Sequence, residues 1–196
     1  MRVRNESRIP DTTLRPLLDF AAKGTNTADL LVHVIDTTTH FRGWAFGRGS
    51  FSKTKYVGDS RWDGRDVQKY PPSVEYLIRL FIPATDARMI GPAFSHVKRI
   101  QQLYPNPPQL ATAEDAIVFL AAHEFRHIAQ YRHRRKGKGE HDAEKWAFAM
   151  LAKWYVATDR VPVLPVKQPN PFSPRGTAAP TAAADSAGEW SRRLRD

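Results

Sequence analysis

The stretch from Thr112 to Arg134 constrains the fold more than any other part of the chain. Thr112 offers a capping hydroxyl and Asp115 stands in the capping-box acid position, so a helix over about Ala113–Arg134 is predicted. Its residues Ala116–Ala122 are all apolar, a pattern for a helix covered on most sides by other elements. His123-Glu124-Phe125-Arg126-His127 follows without a break. A buried helix therefore carries two imidazoles and a carboxylate.

Those residue types at that spacing point to a metal. His123 and His127 are four apart, so they leave one helix face a turn from each other, and both ring nitrogens can reach one ion at roughly 2.0–2.1 Å. Glu124, one step round, can reach a metal-bound water without being a ligand. The chain has no cysteine, so a transition-metal site must be built from His, Asp and Glu. Catalytic zinc usually takes three protein ligands and keeps a fourth position open, so a further ligand is required.

The next helix, about Glu140–Ala157, supplies candidates. Glu140, Ala143, Glu144, Ala147, Met150, Leu151 and Trp154 recur at the three-and-four spacing of one helical stripe, most of it apolar. Two carboxylates on a packed stripe need partners, because burying an unpaired charge costs several kcal/mol, on the order of the net stability of a domain. Glu140 is assigned as the third ligand, and Glu144 as an acceptor for the outer N–H of a metal-bound imidazole. Glu144 and His141 remain alternative third ligands. The link from Arg134 to Gly139 is short, but six extended residues span about 20 Å, enough to return Glu140 to His127.

Elsewhere the pattern is mixed. Asp11 or Thr12 can cap a helix through Phe20 and Ala22, with Gly24 as its stop. Leu30–Asp36 and Phe41–Phe46 look like strands joined by a link short enough for a hairpin, with a second hairpin-like segment at Phe51–Val57. Residues 58–73 suggest a long surface loop, Ser95–Tyr104 a short helix, and Pro105–Pro108 a break. Tyr76–Ile82 is the clearest strand, closed by Pro83, and a candidate lining for a cleft in which an extended substrate adds as a further strand. From Val161 onward Pro, Ala, Ser and Thr dominate, so residues 1–160 are expected to form the domain and 161–196 a disordered tail.

The two ligand-bearing segments resemble the gluzincin group of zinc metallopeptidases, in which His-Glu-x-x-His is followed by a glutamate in a Glu-x-x-x-Asp segment on the next helix. Glu140-His141-Asp142-Ala143-Glu144-Lys145-Trp146-Ala147 is similar to the Glu-x-x-Ala-Asp form of small minimal members, including the ImmA/IrrE-like proteins. The resemblance covers about residues 112–157. Glu144 departs from it by standing where Asp or Asn is usual, and the gap from His127 to Glu140 is shorter than in the large members. What it implies is an α+β, zincin-like domain: an N-terminal helix, a small and mostly antiparallel sheet, the active-site helix and a second ligand-bearing helix. It also implies one Zn²⁺ ion, peptide-bond hydrolysis with Glu124 as general base, and a protein or peptide substrate. Tyr131, His133, His141 and the arginines of the loop are candidates to stabilise the oxyanion.

The formal charge of +10 gives long-range attraction to anionic partners, and much of the excess sits in residues 132–138 and the tail. Nucleic acid is therefore a possible partner, and a basic nucleic-acid-associated protein without proteolysis is the alternative reading. No zinc-finger spacing, aromatic RNA-binding signature or helix-turn-helix accompanies the charge. No apolar run reaches about eighteen residues and the first twenty do not read as a signal peptide, so a cytoplasmic protein with no membrane segment is expected.

Overall fold

Two apolar runs, Leu30–Ile35 and Tyr76–Ile82, set the sheet. A computed structural model describes residues 1–38, 41–47, 73–83, 85, 91–92, 109–133 and 139–161. Its elements are β1 (Arg2–Glu6), α1 (Asp11–Ala21), β2 (Leu30–Thr37), β3 (Arg42–Gly47), β4 (Tyr76–Pro83), β5 (Gly91–Pro92), β6 (Gln109–Leu110), α2 (Ala113–Arg132) and α3 (Gly139–Ala157). The expected segments at Phe51–Val57 and Ser95–Tyr104, nearly all of the 58–73 loop, the Pro105–Pro108 break, the basic residues 134–138 and almost all of the tail lie outside the described residues.

Among the described residues the main sheet has four strands in the order β1-β2-β4-β3. β1 and β4 both run parallel to β2, and β3 alone is antiparallel, against β4. The architecture is therefore α+β with a mixed sheet, which corrects the expectation of a mostly antiparallel one. The reason is legible in β2 and β4 themselves. Both carry apolar residues on both faces, as strands buried on both sides do, rather than the alternation of a half-exposed hairpin.

The expected hairpin between β2 and β3 is also corrected. β4 lies between them, pairing Val34 with Leu80 on one side while Leu80 pairs with Gly43 on the other. A short link allows neighbouring strands but does not compel them to pair. β1 was not anticipated, because Arg-Val-Arg-Asn-Glu contains one apolar residue. Its charges suit an outer strand, where they discourage pairing with another chain.

One core unites sheet and helices. Leu14, Leu17 and Leu18 of α1, Val32 and Val34 of β2, Ile78 and Leu80 of β4, Phe125 and Ile128 of α2, and Phe148 and Leu151 of α3 are all buried in it. Leu31, Leu77 and Val74 form a smaller cluster apart from it. α1 begins as expected, but its N-cap is Pro10, with no side-chain cap; Asp11 instead accepts a 2.8 Å hydrogen bond from Asn5. Gly24, with φ +82°, adopts the left-handed conformation expected just beyond the helix end.

The start of α2 follows the sequence closely. The Thr112 hydroxyl accepts from the Asp115 backbone N–H at 3.1 Å, and the Asp115 carboxylate accepts from the Thr112 N–H at 3.1 Å. The same carboxylate, 1% exposed, also accepts from Trp154 Nε1 and Arg160 Nη1, both at 3.1 Å. It thereby pins the beginning of α2 to the end of α3. Asp115→Ala removes the capping-box acid, the acceptor of the half-buried Trp154 indole N–H and one of the partners of the Arg160 guanidinium, which keeps Glu114, and is expected to lower stability by about 2–4 kcal/mol. A denaturation midpoint equal to that of the wild type would refute this account of the junction.

Candidate metal centre

The apolar residues of α2 hold it against α3 and the sheet, so the orientation of the turn that follows is fixed before its polar side chains are considered. His123 and His127 project from that turn, and their Nε2 atoms lie 3.0 Å apart. From α3, Glu140 reaches back across the link: its Oε2 lies 3.4 Å from His123 Nε2 and its Oε1 3.4 Å from His127 Nε2. Two ligands held at about 2.0–2.1 Å in a tetrahedral array stand about 3.3–3.4 Å apart. The three separations are close to that spacing, so His123, His127 and Glu140 could hold one metal ion.

Charge favours a cation at the same point. Burial works against a charged His123 ring but is outweighed by the hydrogen bond it donates to Glu140 and the negative charges of Glu124, Glu144 and Glu140, so its pKa is raised. Glu140 is held below the usual carboxylate range, chiefly by its hydrogen bond with His123. His127 is lowered, by burial and by the neighbouring His123 charge, and so favours the neutral form that ligates.

Glu124 occupies a different environment. It is 4% exposed and faces β3, where a Cβ at Gly43 would lie 2.6 Å from its Cγ and Oε1. Only a residue without a side chain lets the strand come so close. β3 presents small residues to α2, with Ala45 two positions on from Gly43 and packed against the core. Burial raises the Glu124 carboxyl to about 7, with Glu140 adding to the rise and His123 opposing it.

No family model, curated protein or solved structure matches this chain. The donor geometry must therefore carry the functional argument. Two imidazoles and a carboxylate suit zinc and other borderline divalent ions.

The remaining expected site residues fall in several places. Glu144 is buried and its charge acts on His123, but neither it nor His141 belongs to the converging set. Tyr131 stacks beside His127 with ring centroids 6.5 Å apart, and its hydroxyl donates to the Ala45 carbonyl at 3.3 Å. His133 caps the end of α2 and is exposed. Arg132 is tied to Asp29 and lies over the Tyr76 ring, so it does not face the donors. Arg126 donates to Asp142 of α3 through Nε and Nη2, at 2.7 and 3.0 Å.

Two residues of the site were not anticipated. Gly43 has no chemistry of its own, and nothing in its strand announces the neighbour it meets. Gln130 sits three residues after His127 and meets its Nδ1 at 3.0 Å. The helical spacing placed it on the right face, but its significance depends on α3.

Proposed function

We propose that this chain is a zinc-dependent metallopeptidase on a zincin-like α+β fold. The observation that carries the proposal is the convergence of His123, His127 and Glu140 from two helices, beside a buried Glu124 that is not one of the donors. The gluzincin-like spacing of the two segments supports the same reading. None of the described helices is long and apolar enough to cross a membrane.

Zinc, when bound, supplies a Lewis acid that polarises the scissile carbonyl and acidifies the attacking water. The chain's own residues do the rest. Glu124 takes the proton of the attacking water and delivers it to the leaving amine. A carboxyl poised near 7 by burial is well matched to both transfers, since its ionised form takes the proton and its protonated form returns it. Tyr131 lies beside His127, and to stabilise developing negative charge its hydroxyl would have to leave the Ala45 carbonyl to which it donates.

β4 cannot receive a substrate strand, because it is paired on both sides. That corrects the suggestion that an extended substrate adds as a further strand along Tyr76–Ile82. Among the described residues β3 is the outer strand next to α2, and it takes that place in the proposal: an extended peptide pairs along β3 and passes the donors.

The test is metal content and hydrolysis in one preparation. Purified wild type is expected to hold close to one zinc per chain and to cleave unfolded protein substrates in a manner abolished by a chelator and restored by zinc. A chain that binds no zinc at neutral pH sinks the reading. Gly43→Ala displaces Glu124 from its contact with β3 and is expected to slow cleavage about 10–100-fold while zinc content stays unchanged. Equal rates in the two proteins would mean that the close approach has no bearing on the base.

A further inference from the structure

We infer that Gln130 is a positioning residue that locks His127 and the start of the helix carrying Glu140 into one unit. The inference rests on the metal-site reading above but is argued from Gln130's own hydrogen bonds. Its side chain is 7% exposed, and its amide nitrogen donates to the Gly139 carbonyl at 2.9 Å and to Asp142 Oδ2 at 3.1 Å. Two acceptors at one end of the amide fix which end is nitrogen. The carbonyl oxygen therefore faces His127 Nδ1, 3.0 Å away. An amide oxygen can only accept, so Nδ1 carries the hydrogen, and the lone pair of the ring is left on Nε2, the atom that faces His123 and Glu140.

The same amide grips α3 on both sides of Glu140. Gly139 precedes that residue and Asp142 follows it, and Asp142 is held in turn by the two nitrogens of Arg126. Glu140 needs such anchoring, because its side chain is 67% exposed and its described contacts are with the two histidines. Gln130 thus sets the tautomer of one donor and the backbone position of another. The thioether of methionine, of similar length, has no donor and only a weakly accepting sulfur and so removes both effects; a carboxylate keeps the acceptor for Nδ1–H and loses the two donated bonds.

The experiment compares wild type, Gln130→Met and Gln130→Glu. In the zinc-free wild type, ¹⁵N NMR of the His127 ring is expected to show hydrogen on Nδ1, and hydrogen exchange at the first turn of α3 to be slow. Gln130→Met is expected to lose the Nδ1–H signature, to exchange faster in that turn, and to bind zinc about 10–100-fold more weakly in competition with a chelator. Gln130→Glu is expected to keep the Nδ1–H signature but to exchange faster. A Met variant with unchanged ring signals and unchanged exchange overturns the inference. Should that variant not fold, a Glu variant with wild-type exchange overturns it equally. If wild type binds no zinc, the metallopeptidase reading fails, while the ring signals and exchange rates still decide the role of Gln130.

Discussion

Glu124→Gln is expected to retain zinc at the wild-type level and to lower peptide hydrolysis by about two to four orders of magnitude. The carboxamide has the size and shape of the carboxylate, so the contact with Gly43 and the packing of β3 against α2 survive. The variant loses the ability to take a proton. Glu124 is not one of the three converging donors, so its replacement leaves the ligand set intact. Metal analysis beside single-turnover cleavage separates the two roles. Loss of zinc from the variant would make Glu124 a ligand, and cleavage within tenfold of wild type would remove it from the chemistry.

His123→Ala is expected to reduce zinc from near one ion per chain to background, and hydrolysis with it. His123 Nε2 stands within 3.4 Å of both other donors, closer to them together than any other described ring nitrogen except that of His127. Removing it leaves one imidazole and one exposed carboxylate, too few to compete with water for a divalent ion. The variant's fold can be checked by circular dichroism and its metal by elemental analysis. A folded variant with full zinc would move the site elsewhere.

Much of the site was readable because its parts are local. The capping box fixed the start of α2 and the four-residue step between His123 and His127 fixed their common face; the stripe of α3 put Glu140 on the side toward them, but its side chain is exposed there and not packed in the core as expected. The sheet was less readable. Strand order depends on which distant segments pair, and a short link between β2 and β3 says nothing about β4 coming between them. The double-sided apolar character of β2 and β4 was a signal for parallel pairing that the hairpin-like spacing obscured. β1 was hidden by its arginines, which serve an outer strand and resemble a loop.

The supporting residues show the same division. Glu144 was expected to orient an imidazole; its charge acts on His123, while Gln130 Oε1 accepts from His127 Nδ1. Helical spacing alone could have nominated Gln130, but its two donations require the position of α3. Gly43 could not have been nominated at all, because its contribution is the absence of an atom.

That absence separates two inheritances within one site. The three donors all come from residues 123–140, a contiguous helical pair whose assembly needs only short-range chain closure. The enclosure of Glu124 comes from residue 43, far upstream, and exists only once the sheet has closed over the helix. On the proposed reading, the metal would be held by residues close in sequence, whereas the setting of the base waits for the whole fold.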